Sequence, residues 1–132
     1  MEKGELAVSS SRQMEFIDLT AQLNQELAAA GIQQGVCVVY NPHTTAGLTI
    51  NEGADPAVQK DLLSVLKKLV PLDHPYQHAE GNSPAHMMAS LMGSSVTVFV
   101  HQGRLQLGTW QKVFFCEFDG PRSRRVFWRV TG

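Results

Sequence analysis

The chain has 132 residues, 43% hydrophobic and 17% charged, which is enough for one compact domain over residues 1–132 and too short for two ordinary ones. An eight-stranded α/β barrel, which takes ~250 residues, is excluded. With 11 Lys+Arg against 12 Asp+Glu the formal charge is -1, so no global field draws the chain to a polyanion or an anionic membrane, and neither is expected as a partner.

Met1 to Glu5 are charged and lead straight into patterned sequence without an apolar leader core, so a cytoplasmic protein is expected. Residues 5–9 and 13–18 read as two short strands around a polar turn at Ser9 to Arg12, an opening hairpin. A helix capped by Thr20 follows, with Leu19, Leu23 and Leu27 on one stripe and Gly31 as its left-handed stop. Gly35 to Asn41 and Leu48 to Asn51 are strand-like, separated by the loop His43-Thr44-Thr45-Ala46-Gly47. Asp55-Pro56 is a helix start, and Val58, Leu62, Val65, Leu66 and Leu69 form one stripe that Pro71 ends. Pro71 to Pro84 lacks apolar periodicity and reads as a long loop. A helix capped by Ser83 and closed by Gly93 follows it, with Met87, Met88 and Met92 assigned to its buried side. Val96, Val98 and Val100, the Gln102-Gly103 turn, and strands over 111–118 and 124–131 complete an expected meander. Cys37 and Cys116 each lie in an apolar run and read as reduced core thiols.

The chemical anomaly is five histidines, at 43, 74, 78, 86 and 101. His43, His78 and His86 border segments rich in Gly, Pro, Thr and Asn, and three imidazoles from separate elements can converge on one metal ion, although their spacing matches no self-contained metal motif. His74 and His101 read as surface residues, with His74 kept as a fourth candidate ligand. Among the acids, Glu52 and Glu117 are the candidate general bases or partners that orient a histidine. Gly81, Asn82 and the N-terminus of the helix after Pro84 could donate to a phosphate, together with Arg122. The other arginines of the last strand read as a solvated edge, and Trp110 as a packing residue.

Taken together, His43-Thr44-Thr45-Ala46-Gly47-Leu48-Thr49-Ile50-Asn51-Glu52, Asp55-Pro56, His78-x-Glu80-Gly81-Asn82 and Ala85-His86 resemble the YjbQ-like family, often labelled secondary thiamine-phosphate synthases. Gly103-x-Leu105-x-Leu107-Gly108-Thr109-Trp110-Gln111 and Glu117-x-Asp119-Gly120-Pro121-Arg122 are similar too, so the likeness spans nearly the whole chain. It implies a single α+β domain, with antiparallel sheets in a sandwich-like arrangement flanked by about three helices, assembling as a homotrimer. It also implies that His43, His78 and His86 gather at a metal-binding pocket. The family label denotes joining a pyrimidine pyrophosphate to a thiazole phosphate, yet the chain has no Asp-rich cluster for the divalent cation that pyrophosphate displacement normally uses. Three imidazoles suit zinc better. The expected function is therefore a small metal-dependent enzyme, zinc being the expected ion, acting on a phosphorylated small molecule, with thiamine-phosphate synthesis as a side activity. The alternative is a non-catalytic homotrimer that binds a small anionic metabolite.

Overall fold

The computed structural model describes residues 2–132. In chain order they form β1 (Glu2–Ser9), β2 (Glu15–Asp18), α1 (Thr20–Ala29), β3 (Gln34–Tyr40), β4 (Ala46–Glu52), α2 (Pro56–Leu69), α3 (Ser83–Met92), β5 (Ser95–His101), β6 (Arg104–Leu105), β7 (Gln111–Glu117) and β8 (Ser123–Thr131). All strand pairings are antiparallel. One sheet runs β1-β8-β3-β5-β6 and the other β2-β7-β4, so the α+β sandwich with three helices is what the structure shows.

The two sheets exist because β7 is apolar on both faces. Val113 and Phe115 point into a core shared with the five-stranded sheet and α1, where Leu6, Leu23, Leu27, Val39, Val126 and Trp128 are buried. Phe114, Cys116 and Phe118 point the other way, into a second core under α2 and α3 with Leu66, Ala85 and Met88. Each large apolar side chain so enclosed contributes about 1.5–3 kcal/mol. Successive residues of a strand face opposite sides, so a continuous apolar run needs a layer on each side.

That layering corrects several expectations. β1 and β2 form no hairpin: β1 pairs with β8 and β2 with β7, so the chain changes sheet at Ser10. β5 and β6 do form one around Gln102 and Gly103, both at positive φ as this tight turn requires. No meander follows, because β7 belongs to the other sheet and β8 returns to lie between β1 and β3. The arginines of β8 are therefore on an interior strand rather than an edge.

Helix ends differ in detail. Asp55 caps α2 by accepting from the Ala57 amide at 2.9 Å, as expected. Thr20 does not cap α1; it is the first helical residue, its amide donates to Asp18, and its hydroxyl accepts from the Val113 amide of β7 at 2.9 Å. Asn82 rather than Ser83 precedes α3. Met88 is buried, whereas Met87 is exposed, as are Val65 and Leu69 on the α2 stripe and Trp110 in the loop before β7. Cys37 and Cys116 are free and buried; burial pushes the Cys37 thiol up to about 11 and that of Cys116 higher still. Among the described residues no helix is long and apolar enough to cross a membrane.

Candidate functional site

Three segments meet at one end of the sandwich, and each is held by a specific local device. The loop between β3 and β4 is folded around Asn41, itself 1% exposed. The Asn41 amide donates to the Ala46 carbonyl at 2.7 Å, and its oxygen accepts from the His43 backbone at 3.0 Å. The turn between β7 and β8 is fixed from Ser10, whose hydroxyl donates to Glu117 at 2.7 Å and accepts from the Arg122 amide at 2.9 Å. The third segment is the end of the long loop and the start of α3, anchored by Asn82, whose side-chain amide donates to Asp119 Oδ2 at 2.9 Å.

Between them lies a cavity of about 400 Å³ lined by Pro42, His43, Thr44, Thr45, His78, Glu80, Asn82, His86, Arg122 and Arg124. The His78 and His86 rings meet edge to face with centroids 5.3 Å apart. His43 lies across from them, its Nε2 accepting from the Arg125 amide at 3.0 Å. Arg122 is tied to Asp119 at 3.0 Å and is half exposed. Glu80 lines the rim, its carboxylate 3.9 Å from His78 Nε2.

The floor is a buried ion pair. Arg124 donates from Nε to Glu117 Oε1 at 2.9 Å and from Nη2 to Glu117 Oε2, with a further bond from Nη2 to the Thr45 hydroxyl at 2.9 Å. Burial pushes the Glu117 carboxyl up, but hydrogen bonds from Arg124, Ser10 and the Asp119 amide outweigh it, and the group is held below the usual carboxylate range. His43 is pushed below its ordinary value, by burial first and then by the Arg124 charge, which favours the neutral ring.

The candidates read from sequence thus divide. His43, His78, His86, Asn82 and Arg122 line one cavity. Gly81 does not line it; at φ 78° it turns the chain between His78 and Asn82. Glu117 lies beneath the cavity as a fully buried partner of Arg124, not an outward strand residue. Glu52 is elsewhere, its carboxylate accepting from the Ala54 and Asp55 amides at 2.6 and 2.9 Å. His74 packs on Tyr76 beside a separate apolar groove between α2 and α3.

Arg124 was the residue missed, and its signal is in the sequence: it shares the two-residue period of Val126, Trp128 and Val130, all buried. Glu117 likewise follows Val113 and Phe115. Opposite charges in phase with two apolar faces indicate a buried pair.

For a metal ion the fit is incomplete. The three imidazoles share one cavity, but among the described residues no three His, Cys, Asp or Glu side chains are gathered as a ligand set, and His43 Nε2 is engaged with backbone. One buried acceptor, Asn82 Oδ1, has no hydrogen-bond partner.

Residues 4–132 match the family described as UPF0047 protein YjbQ-like. The chain is 46% identical over 128 residues to the UPF0047 protein YugU of Bacillus subtilis, covering 96% of this chain and 97% of that one. It is 42% identical over 125 residues to a UPF0047 protein of Methanocaldococcus jannaschii, covering 95% and 91%. Among solved structures, a YjbQ/UPF0047-family protein from Clostridium acetobutylicum superposes with TM-score 0.92 at 48% identity, covering 96% and 98%. A hypothetical protein from Aeropyrum pernix does so with TM-score 0.93 at 36% identity, covering 100% and 99%.

Proposed function

The chain belongs to the UPF0047 YjbQ-like family, and from its polar cavity we propose that it binds, and acts on, a small phosphorylated molecule. The observation that carries this reading is the convergence of three imidazoles, the Arg122 and Arg124 guanidinium groups and the start of α3 on one space. The carboxylates that balance the arginines, Asp119 and Glu117, are not in the lining, and the one carboxylate that is, Glu80, stands exposed at the rim beside His78. A helix start adds backbone polarity of the same sign. His78 and His86 both line the space a phosphate would occupy, with the Glu80 carboxylate 3.9 Å from His78 Nε2.

The second reading is a zinc-dependent enzyme held by His43, His78 and His86, and the edge-to-face approach of His78 and His86 favours it. It requires His43 to leave the Arg125 amide or to ligate through Nδ1. When bound, the ion would polarise a phosphoryl oxygen. Thiamine-phosphate synthesis as a side activity asks more of the cavity, which would have to hold two phosphorylated partners at once. A non-catalytic binding protein is the form of the first reading without turnover.

Titration calorimetry with inorganic phosphate tests both readings, on protein stripped with chelator and on protein resupplied with zinc. The expected result is saturable binding without metal. Arg122→Ala weakens it about tenfold or more, the loss of one charge-assisted hydrogen bond, at unchanged circular dichroism. Binding that appears only with zinc, and disappears in the His43→Ala, His78→Ala, His86→Ala triple variant, selects the metal reading instead. No saturable binding in either preparation overturns the phosphate site.

A further inference from the structure

The polar cavity adjoins a second space of different chemistry. His43, Thr44 and His86 line both. The second space, about 530 Å³, is otherwise walled by Ala46, Ala89, Ser90, Gly93 and Ser94. None of those five side chains carries charge. The two spaces adjoin, with arginines lining one, small uncharged side chains lining the other, and two imidazoles lining both, the arrangement of a bipartite cleft.

The second space is set by backbone packing rather than by a flexible loop. Gly47 lets the end of α3 close onto β4, and the Leu48 amide donates to the Gly93 carbonyl at 3.0 Å. A Cβ on Gly47 would lie 2.6 Å from Met92 Cβ. Ala89 is 8% exposed and Ala46 2%, so the inner wall is fixed, while Ser90 and Ser94 are exposed and Gly93 is partly so.

Resting on the phosphate-binding reading above, we propose that the substrate is a monophosphate ester with an uncharged, ring-sized organic portion. The phosphate occupies the space lined by His78, Asn82, Arg122 and Arg124, the organic portion occupies the space along α3, and the bond between them lies at His43 and His86. One cationic lobe serves one anionic group. The cleft thus takes one phosphorylated partner at a time, since a second phosphate would lie against alanines, glycine and serines without a compensating charge.

Calorimetric titration of the protein with inorganic phosphate and with phenyl phosphate tests this. The wild type is expected to bind phenyl phosphate about tenfold more tightly than inorganic phosphate, from apolar area removed from water, at one molecule per protomer. Ser94→Phe, and independently Ser90→Phe, fill the second space from its solvent side and are expected to bring that ratio to about one. Equal affinity for the two probes in the wild type, a ratio untouched by both substitutions, or two phosphates per protomer would each overturn the bipartite cleft while the phosphate site stands. Failure of both probes to bind overturns the phosphate reading and this proposal with it.

Discussion

Two residues, Glu117 and Arg124, decide how the candidate site is built. Neither is in a loop, and their carboxylate and guanidinium are 0% and 3% exposed. Two charges taken out of water require both partners and the neighbouring hydrogen bonds from Ser10 and to Thr45. Arg124→Met leaves a buried carboxylate unpaired, and a loss of about 3–5 kcal/mol in denaturant unfolding is expected. The pH dependence has a definite sign. Glu117 is held below its ordinary value of 4.5 in the folded chain, so its contribution is fully present above that value and is lost as pH falls through the lower, folded one. The unfolding midpoint of the wild type in urea is expected to drop below about pH 4.5, and Glu117→Gln, already destabilised, is expected to show a shallower drop. Equal acid dependence in the two proteins would contradict this role. His43 has the same sign, since protonating a ring held below 6.5 costs the folded state.

At the scale of elements, the site depends on how α3 approaches β4. The two glycines concerned act differently: Gly47 makes room, whereas Gly93 takes φ 92° to end the helix and turn into β5. Gly47→Ala forces α3 outward from β4 and moves His86 away from His43. A loss of about 1–3 kcal/mol is expected from overpacking, and phosphate affinity should fall with it although position 47 does not line the cavity. Unchanged affinity would mean that α3 can shift without carrying His86. Helices and strands were legible in the sequence to within a few residues, because caps, Pro and Gly act locally, although Thr20 and Ser83 proved to be first helical residues rather than caps. Which strands share a sheet was not, because pairing joins residues as far apart as Glu2 and Val130.

Across the whole molecule, the accessible surface is 7715 Å², above the roughly 6,900 Å² expected of a monomer of this mass. The outer face of the five-stranded sheet carries exposed large apolar side chains. Val38, Tyr40, Phe99 and Phe127 are 40%, 50%, 62% and 37% exposed there, with Tyr40 directly opposite Phe127 in register. An apolar face flanked by Arg125 and Arg129 is the exposed surface that the homotrimer implied by the family likeness could use, and sedimentation tests it. Sedimentation equilibrium of the wild type is expected to give three times the 14.5 kDa chain mass, and Tyr40→Lys with Phe99→Lys is expected to give the mass of one chain. A wild type that sediments as one chain removes this proposal.

Local pattern determined three helices with two marked by Pro at their starts, the turn at Gln102-Gly103, and the segments that carry His43, His78, His86 and Arg122, while the likeness to the YjbQ-like family implied the α+β sandwich. Each local feature follows from forces acting over a turn or a strand's length. Tertiary structure alone decided that Glu52 stays at the far end of β4, that Glu117 goes under the cavity, and that the imidazoles share a space without sharing a coordination sphere. It also decided that α2 and α3 leave Leu69, Met87 and Leu91 exposed while β7 is enclosed on both faces. The reason is that period sets which residues share a face, but only the packing of the second layer sets whether that face meets water, another sheet, or a ligand.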